Sequence, residues 1–420
     1  MRQLEYSAFS RSLHDRQATT RLPLTGTIEV TRRCPLVCQH CYNNLPMGDA
    51  TARAQELTLD EHRHLLDELS AAGCLWLLYT GGEIFARRDF LDIYTEARRR
   101  GFLITLFTNG TLITEAIADH LARYRPFAIE ITLYGRTRET YERLTGVRGS
   151  FDRCLRGIRL LRERGLPLAL KTVAVSINRH ELAAMHAFAD ELELPFKSDS
   201  MINPRLDCAQ SPLAVRLSPE QAVAIDLEDA RRADEWVQFA EHVQQALAAS
   251  PPPDTIYQCG GGVNTFAIDP YGRMSICVLS ERHKVDVRGG RFRESWDGFL
   301  REQRARRVSR PTKCVACALK SACGMCPANG ELENGDPETP VDYLCHTAHL
   351  RAQALGLDVP NHGPCEYCAG GERHADIMEA AARLRVQASG RARRPIRVDA
   401  DGRRLLHVVT SGGGCACATA

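Results

Sequence analysis

The stretch Cys34-Pro35-Leu36-Val37-Cys38-Gln39-His40-Cys41-Tyr42 places three cysteines at spacings of four and then three. Thiols packed this tightly share one ligand more readily than they serve three separate roles. Thiolates are soft donors that suit zinc, copper(I) or iron–sulfur clusters. Zinc takes four protein ligands, or three and a water, often in paired C-x-x-C knuckles. A cubane cluster has four irons, so three cysteines leave one iron open to something other than protein. Spacing alone leaves a zinc knuckle, three buried cysteines and a cluster all standing.

Outward from this loop, the flanking sequence alternates between two periods. Thr27-Ile28-Glu29-Val30-Thr31 is β-branched and reads as a strand. Thr58-Leu59-Asp60-Glu61 is a capping box that opens a helix with Leu65, Leu66 and Leu69 on one face, ending near Gly73. Strands follow at Trp76–Thr80, Leu103–Thr108, Ala128–Leu133, Leu168–Val175 and Phe196–Met201. Helices lie between them at Arg88–Arg100, Glu115–Tyr124, Phe151–Glu163 and His180–Leu192. Strand and helix in turn predict an α/β fold, a parallel sheet with helices outside. Right-handed crossovers would curl it into a barrel or an open part of one. In such sheets ligands sit at the carboxyl ends of strands. The cysteine loop, Gly81-Gly82-Glu83, Asn109 and Thr132-Leu133-Tyr134-Gly135 all fall there.

C-x-x-x-C-x-x-C with a ring residue before the third cysteine, followed by Gly81-Gly82-Glu83 after the second strand, resembles the radical S-adenosylmethionine (SAM) superfamily. The resemblance implies a partial six-stranded β/α barrel. It implies a [4Fe–4S] cluster on Cys34, Cys38 and Cys41 whose open iron chelates SAM. The reduced cluster passes an electron to the sulfonium and yields a 5′-deoxyadenosyl radical. It also implies that Gly81, Gly82 and Glu83 hold the methionine end, with His40, Tyr42 and Asn109 beside the cofactors. Thr132 would touch the ribose and Lys171 the carboxylate. Beside these stand plainer readings: Thr132 as strand filler, and Lys171 as a solvent-facing charge at the barrel mouth.

The bulk properties narrow the class. A chain of 420 residues, 44% hydrophobic, is expected to form two or three domains. A net charge of +2, from 54 basic and 52 acidic residues, gives no reason to expect a nucleic-acid or membrane partner. No run of eighteen apolar residues predicts a membrane span, and Met1-Arg2-Gln3-Leu4-Glu5-Tyr6 lacks a signal segment. A cytosolic location is therefore expected, where 17 cysteines are metal ligands rather than disulfides. Of these, the isolated Cys74, Cys154 and Cys208 read as small buried or half-buried residues.

Ser218-Pro219-Glu220-Gln221 starts a helical, charge-rich stretch running to about Ala249. Ser250-Pro251-Pro252-Pro253 reads as a stiff linker. Beyond it lies a second cysteine field: Cys259, Cys277, Cys314, Cys317, Cys323, Cys326 and Cys345, with a small hairpin around Pro270-Tyr271-Gly272. Two C-x-x-C pairs alone suggest a zinc ribbon. After a radical SAM core the order resembles the SPASM extension, which implies one or two auxiliary iron–sulfur clusters. One would use Cys314, Cys317, Cys323 and Cys345, the other Cys259, Cys277 and Cys326. The chain departs from that pattern. Gly260 to Thr265 supplies no further cysteine, and the last pair is one residue tighter. The first auxiliary cluster is thus left with an open iron, a non-cysteine ligand or a smaller size, and an open iron could take a substrate thiolate.

The expected divisions are an N-terminal arm 1–25, a barrel 26–215, a helical linker 216–253, a SPASM region 254–350 and a C-terminal extension 351–420. The extension carries Cys365-Glu366-Tyr367-Cys368, a helix Ala375–Val386, the Arg-rich link Arg391–Arg397 and a hairpin about Asp401-Gly402. It ends in Cys415/Cys417, read as a plain terminus, a swinging cluster cap or a substrate mimic. The resemblance implies a substrate that is a ribosomally made peptide, or else a small molecule or tetrapyrrole, and a flavodoxin- or ferredoxin-like reductant. A non-catalytic iron–sulfur carrier or redox sensor would not need the Gly-Gly-Glu shelf.

Overall fold

The computed structural model describes residues 9, 10, 13, 20–228, 232–239, 254–315, 317, 319, 323–357, 359 and 363–389. The expectations for most of the N-terminal arm, the stretch 240–253, the Arg-rich link, the hairpin about Asp401 and the Cys415/Cys417 pair lie outside these residues.

Six parallel strands follow one another in space as in sequence: β1 (Thr25–Thr31), β2 (Trp76–Gly81), β3 (Leu103–Thr108), β4 (Ala128–Thr132), β5 (Leu168–Val173) and β6 (Phe196–Asp199). The crossovers are α1 (Leu59–Ala71), α2 (Phe90–Arg99), α3 (Glu115–Arg123), α4 (Arg138–Thr145) with α5 (Ser150–Glu163), and α6 (Leu182–Glu191). The capping box forms as read: Thr58 Oγ1 accepts from Glu61 N at 3.2 Å, and Glu61 Oε2 accepts from Thr58 N at 2.7 Å. Buried Leu65, Leu66 and Leu69 then pack α1 onto the sheet, and Gly73 at φ +88° ends it.

Two features depart from the sequence reading. The helix α4 is absent from the sequence reading because its only buried apolar residues are Tyr141 and Leu144, beside Thr140 and Thr145; its signals are the cap, where Thr137 accepts from Thr140 N at 3.3 Å, and the stop at Gly146, φ +70°. The hairpin of the second cysteine field, β7 (Thr265–Ile268) and β8 (Arg273–Ser275), also joins the main sheet. β7 runs parallel to β1, with Thr25 opposite Thr265 and Ile28 opposite Ile268. With β9 (Val285–Asp286) the order is β9-β8-β7-β1-β2-β3-β4-β5-β6, an open sheet whose curl stops short of a closed barrel. Phe266, Phe292 and Trp296 pack edge-to-face and extend the core shared with β1 and α1.

The rest is helical: α7 (Pro219–Glu228), α8 (Phe292–Asp297), α9 (Phe299–Ala305), α10 (Pro327–Asn334), α11 (Asp342–Leu355) and α12 (His374–Ser389). The helix α11 runs through position 350. With α7 and α12 it encloses a smaller core of Val223, Leu350, Ala354, Tyr367, Ile377 and Ala381. Buried Asp226 ties α7 to α11 through Arg351 Nε at 2.7 Å. Among the described residues no helix is long and apolar enough to cross a membrane.

Candidate cluster and SAM site

The cysteine loop leaves β1 at a bulge between Glu29 and Thr31 and is fixed by four sets of bonds. The end of α4 receives it, with Val37 N donating to Thr145 O at 2.9 Å and Gln39 N to Leu144 O at 3.1 Å. Arg205 reaches in from beyond β6 to Asn44 Oδ1 at 3.0 Å and Asn44 O at 3.1 Å. Arg33 forms a bidentate pair with Glu56, both bonds 2.9 Å and both side chains buried.

The fourth support is the Gly81-Gly82-Glu83 turn. Gly82 N donates to Thr31 O at 2.8 Å and Glu83 N to Arg33 O at 3.0 Å. A Cβ on Gly82 would lie 2.4 Å from Arg32 O and 2.6 Å from Arg33 O. One on Gly81, at φ +135°, would lie 2.1 Å from Thr31 O. The glycines are therefore demanded by the cysteine loop itself, which lies against them backbone to backbone.

Cys34, Cys38, His40, Cys41 and Tyr42 open onto one cavity. Gly81, Gly82, Asn109, Thr132 and Lys171 form its other walls. Counted out to the solvent at its mouth it encloses about 880 Å³. Asn109 Nδ2 and Leu36 N each donate toward Cys34 Sγ at 3.5 Å, and donors aimed at sulfur favour its thiolate. Burial pushes all three thiols above their ordinary range, so proton loss there needs a bound cation. Burial likewise brings His40 down to about 4, leaving a neutral ring 5.2 Å from that of Tyr134. Its Nδ1 is buried with no hydrogen-bond partner among the described residues.

Glu83 is the one residue predicted for the SAM site that does not line the cavity. Its carboxylate accepts from Thr108 Oγ1 at 2.7 Å, Asn109 N at 2.8 Å and Phe85 N at 3.2 Å. Burial pushes it up to about 7, against those three donors. It locks the turn to the end of β3 and so positions Asn109. Lys171 corrects the plainer expectation of a solvent-facing charge, since it is 5% exposed. Its Nζ sits 2.9 Å from the Phe107 ring centroid and 3.5 Å from Glu130 Oε2, which Lys197 also holds at 2.9 Å. Burial brings Lys171 down to about 7, with Glu130 opposing and Lys197 assisting. Tyr134, Phe107 and Asn203 line the cavity without having been predicted as site residues. Tyr134 was within sight, since it follows the end of β4.

In the second field, Cys277 and Cys326 pack against a cluster of Tyr42, Leu279, Ala328 and Leu332. Cys259 lies beside Gly261, whose Cβ would meet Ile276 O at 2.9 Å. Cys314, Cys317, Cys323 and Cys345 line one separate cavity together with His349. Cys74 and Cys154 are buried, as expected. Cys208 is not: it is exposed, in a left-handed turn at φ +67°.

The profile described as Radical SAM superfamily matches residues 28–189, from β1 through α6. PqqA peptide cyclase of Granulibacter bethesdensis is 26% identical over 365 residues, 82% of this chain and 94% of that protein. The chain carries a radical SAM domain over residues 28–189. It is a radical SAM enzyme, and its cofactors are a [4Fe–4S] cluster and SAM, with auxiliary clusters indicated by the further cysteines. A second relative, the AdoMet-dependent heme synthase of Methanosarcina barkeri, is 25% identical over 356 residues, 76% of this chain and 95% of that protein. Solved structures share the fold. Streptococcus suis SuiB bound to S-adenosylmethionine gives a TM-score of 0.57 at 18% identity over 82% of each chain. anSMEcpe with bound AdoMet gives 0.57 at 14% identity, covering 88% of this chain and 100% of that one.

Proposed function

We propose that this enzyme modifies a side chain of a ribosomally made peptide by hydrogen abstraction, and that Cys34, Cys38 and Cys41 carry the cluster that starts it. The observation that supports the reading most is the single cavity in which three thiols, two close-packed glycines and Lys171 meet. Its described lining contains no carboxylate, and its one formal charge is that of Lys171. That donor set fits the cofactors: three sulfurs for three irons, and an ammonium for the carboxylate of SAM. When bound, the reduced cluster supplies the electron that cleaves SAM to a 5′-deoxyadenosyl radical. The chain's own residues bind, orient and exclude water. Gly81 and Gly82 would form a close backbone shelf for the methionine moiety, Thr132 would meet the ribose, and Asn109 steadies Cys34. Cys314, Cys317 and Cys323, and separately Cys259, Cys277 and Cys326, would hold the auxiliary clusters, with a small flavodoxin- or ferredoxin-like protein as reductant. The peptide substrate has support from the PqqA peptide cyclase relative and from the SuiB structure bound to its precursor peptide SuiA. A tetrapyrrole substrate is the second reading, favoured by the heme synthase relative.

The test is made on anaerobically reconstituted protein. Iron and sulfide are counted, then dithionite and SAM are added. Iron approaching three cubanes and formation of 5′-deoxyadenosine support the reading; zinc in place of iron, or intact SAM, overturns it. Turnover with a cysteine-bearing precursor peptide but not with porphyrins would select the peptide.

Lys171→Met separates carboxylate binding from cluster assembly. A charge-assisted contact contributes about 1.5–3 kcal/mol, so the KM for SAM should rise roughly 10- to 100-fold while iron content holds. The sign of the pH dependence follows. Above about pH 7 the unliganded Lys171 has lost its proton. Carboxylate binding must then take one up, and affinity in the wild type should fall as pH rises from 7 to 9. KM measured across that range should be flat in Lys171→Met. A flat wild-type profile would remove Lys171 from the site.

A further inference from the structure

We propose that Cys345, His349, Cys365 and Cys368 bind a single zinc ion, a site separate from the iron–sulfur chemistry and independent of the proposed substrate. Cys345 and His349 stand one turn apart on the same face of α11. The C-x-x-C of residues 365–368 folds over them in a tight turn, with Cys368 N donating to Cys365 O at 3.2 Å. The turn closes on Gly371, whose Cβ would lie 2.4 Å from the carbonyl oxygens of both Cys365 and Glu366. All four residues are part of the α7–α11–α12 assembly, where Cys365 and Cys368 are buried.

The distances fit one ion. Cys365 Sγ lies 3.5 Å and Cys368 Sγ 3.6 Å from His349 Nε2. Zinc bound at ~2.3 Å to sulfur and ~2.0–2.1 Å to nitrogen, with tetrahedral angles, puts S and N about 3.6 Å apart. The donor atoms of Cys345, His349 and Cys365 all fall within 4.8 Å of one another. Cys345 Sγ lies 3.8 Å from Nδ1 of the same ring, so these three donors gather about the imidazole, and Cys368 Sγ approaches its Nε2 as the fourth.

The histidine is set in the orientation a ligand needs. Its Nδ1 lies 2.8 Å from Cys345 O, and a carbonyl can only accept, so Nδ1 carries the proton. In the neutral ring the lone pair is then on Nε2, the nitrogen that faces the two sulfurs. Backbone carbonyls hold metal-binding histidines in this way. Tyr367, between the two cysteines, packs its ring 5.3 Å from that of His349 and fixes its plane.

Chemistry and setting point to a closed structural site. Three thiolates and one imidazole complete a zinc shell and leave no position for water or substrate. The core they sit in is small, the kind of assembly a metal staples. The assignment takes Cys345 out of the set that the family resemblance gives to an auxiliary cluster, leaving Cys314, Cys317 and Cys323 around the cavity that Cys345 and His349 also line.

The experiment is metal analysis of the full-length enzyme purified from zinc-supplied cells, with X-ray absorption at the zinc edge. The expected result is about one zinc per chain, with three sulfurs at ~2.3 Å and one nitrogen at ~2.0–2.1 Å. In Cys365→Ser/Cys368→Ser, zinc should fall at least about tenfold while iron stays at the wild-type count. Absence of zinc, a shell without nitrogen, zinc kept in the double variant, or iron lost along with it would each overturn the assignment. The wild-type absorption spectrum decides the matter even if the variant fails to fold. Because the readout is zinc, its failure leaves the SAM-cleavage result standing, and the reverse also holds.

Discussion

Replacing Cys34, Cys38 and Cys41 together with alanine is expected to lower SAM cleavage at least about 1000-fold, a barrier increase of roughly 4 kcal/mol or more. Iron should fall by about four per chain, the content of one cubane, while iron at the second cysteine field remains. The expectation rests on where the three thiols sit. They face the cavity from a loop whose fixing bonds run through its backbone and through Arg33, Arg205 and Asn44, none of which the substitution touches. The loop should therefore keep its path, and the loss should be one of cofactor rather than fold. The measurement pairs iron and 5′-deoxyadenosine with a far-UV spectrum and a thermal melt. If the triple variant still cleaves SAM, the cluster is elsewhere.

Gly82→Ala should be nearly as damaging although it removes no ligand. Its new methyl would meet two backbone carbonyl oxygens at 2.4 and 2.6 Å, and backbone cannot rotate away as a side chain can. Relief requires the cysteine loop to shift. Overpacking and strain together cost roughly 2–5 kcal/mol. A displacement of about 1 Å can reduce turnover about 100-fold. We expect cleavage at or below about one hundredth of wild type, with iron partly lost. The comparison is Gly73→Ala, at positive φ (+88°) but with nothing within 4 Å of its Cβ. It should lose about 1 kcal/mol of stability and keep its activity. If both variants behave alike, close approach is not what Gly82 provides.

The sequence carried the sheet well because most crossovers carry local signals: an apolar face at helical spacing, with a cap or a glycine stop at one end. The capping box at Thr58 and the stop at Gly73 are of this kind. It carried the cavity nearly as well, because ligands gather at strand ends whatever the helices do. What it hid was decided by partners distant in sequence. Nothing near Glu83 shows that its carboxylate turns away to Thr108 and Asn109. Nothing near Lys171 shows that Phe107 and Glu130 cover it. His349 lies in an unremarkable helix, and only the turn at Cys365–Cys368 gives it meaning.

The pairing of β7 with β1 sets an order of events in time. Thr25 and Thr265 are neighbours in the sheet, yet nearly the whole catalytic region lies between them in the chain. Contacts this remote form late, because the loop they close must first lose its freedom. During synthesis and refolding β1 thus spends an interval as an open edge, with its hydrogen-bonding groups unpaired beside the cysteine loop. An open edge of that kind invites other chains. Pulsed hydrogen exchange during refolding should show the amides of residues 265–268 gaining protection in the last phase, after those of β2 and β3; simultaneous protection would refute this order. Efficient recovery of active enzyme then depends on how fast the second cysteine field arrives to cover that edge.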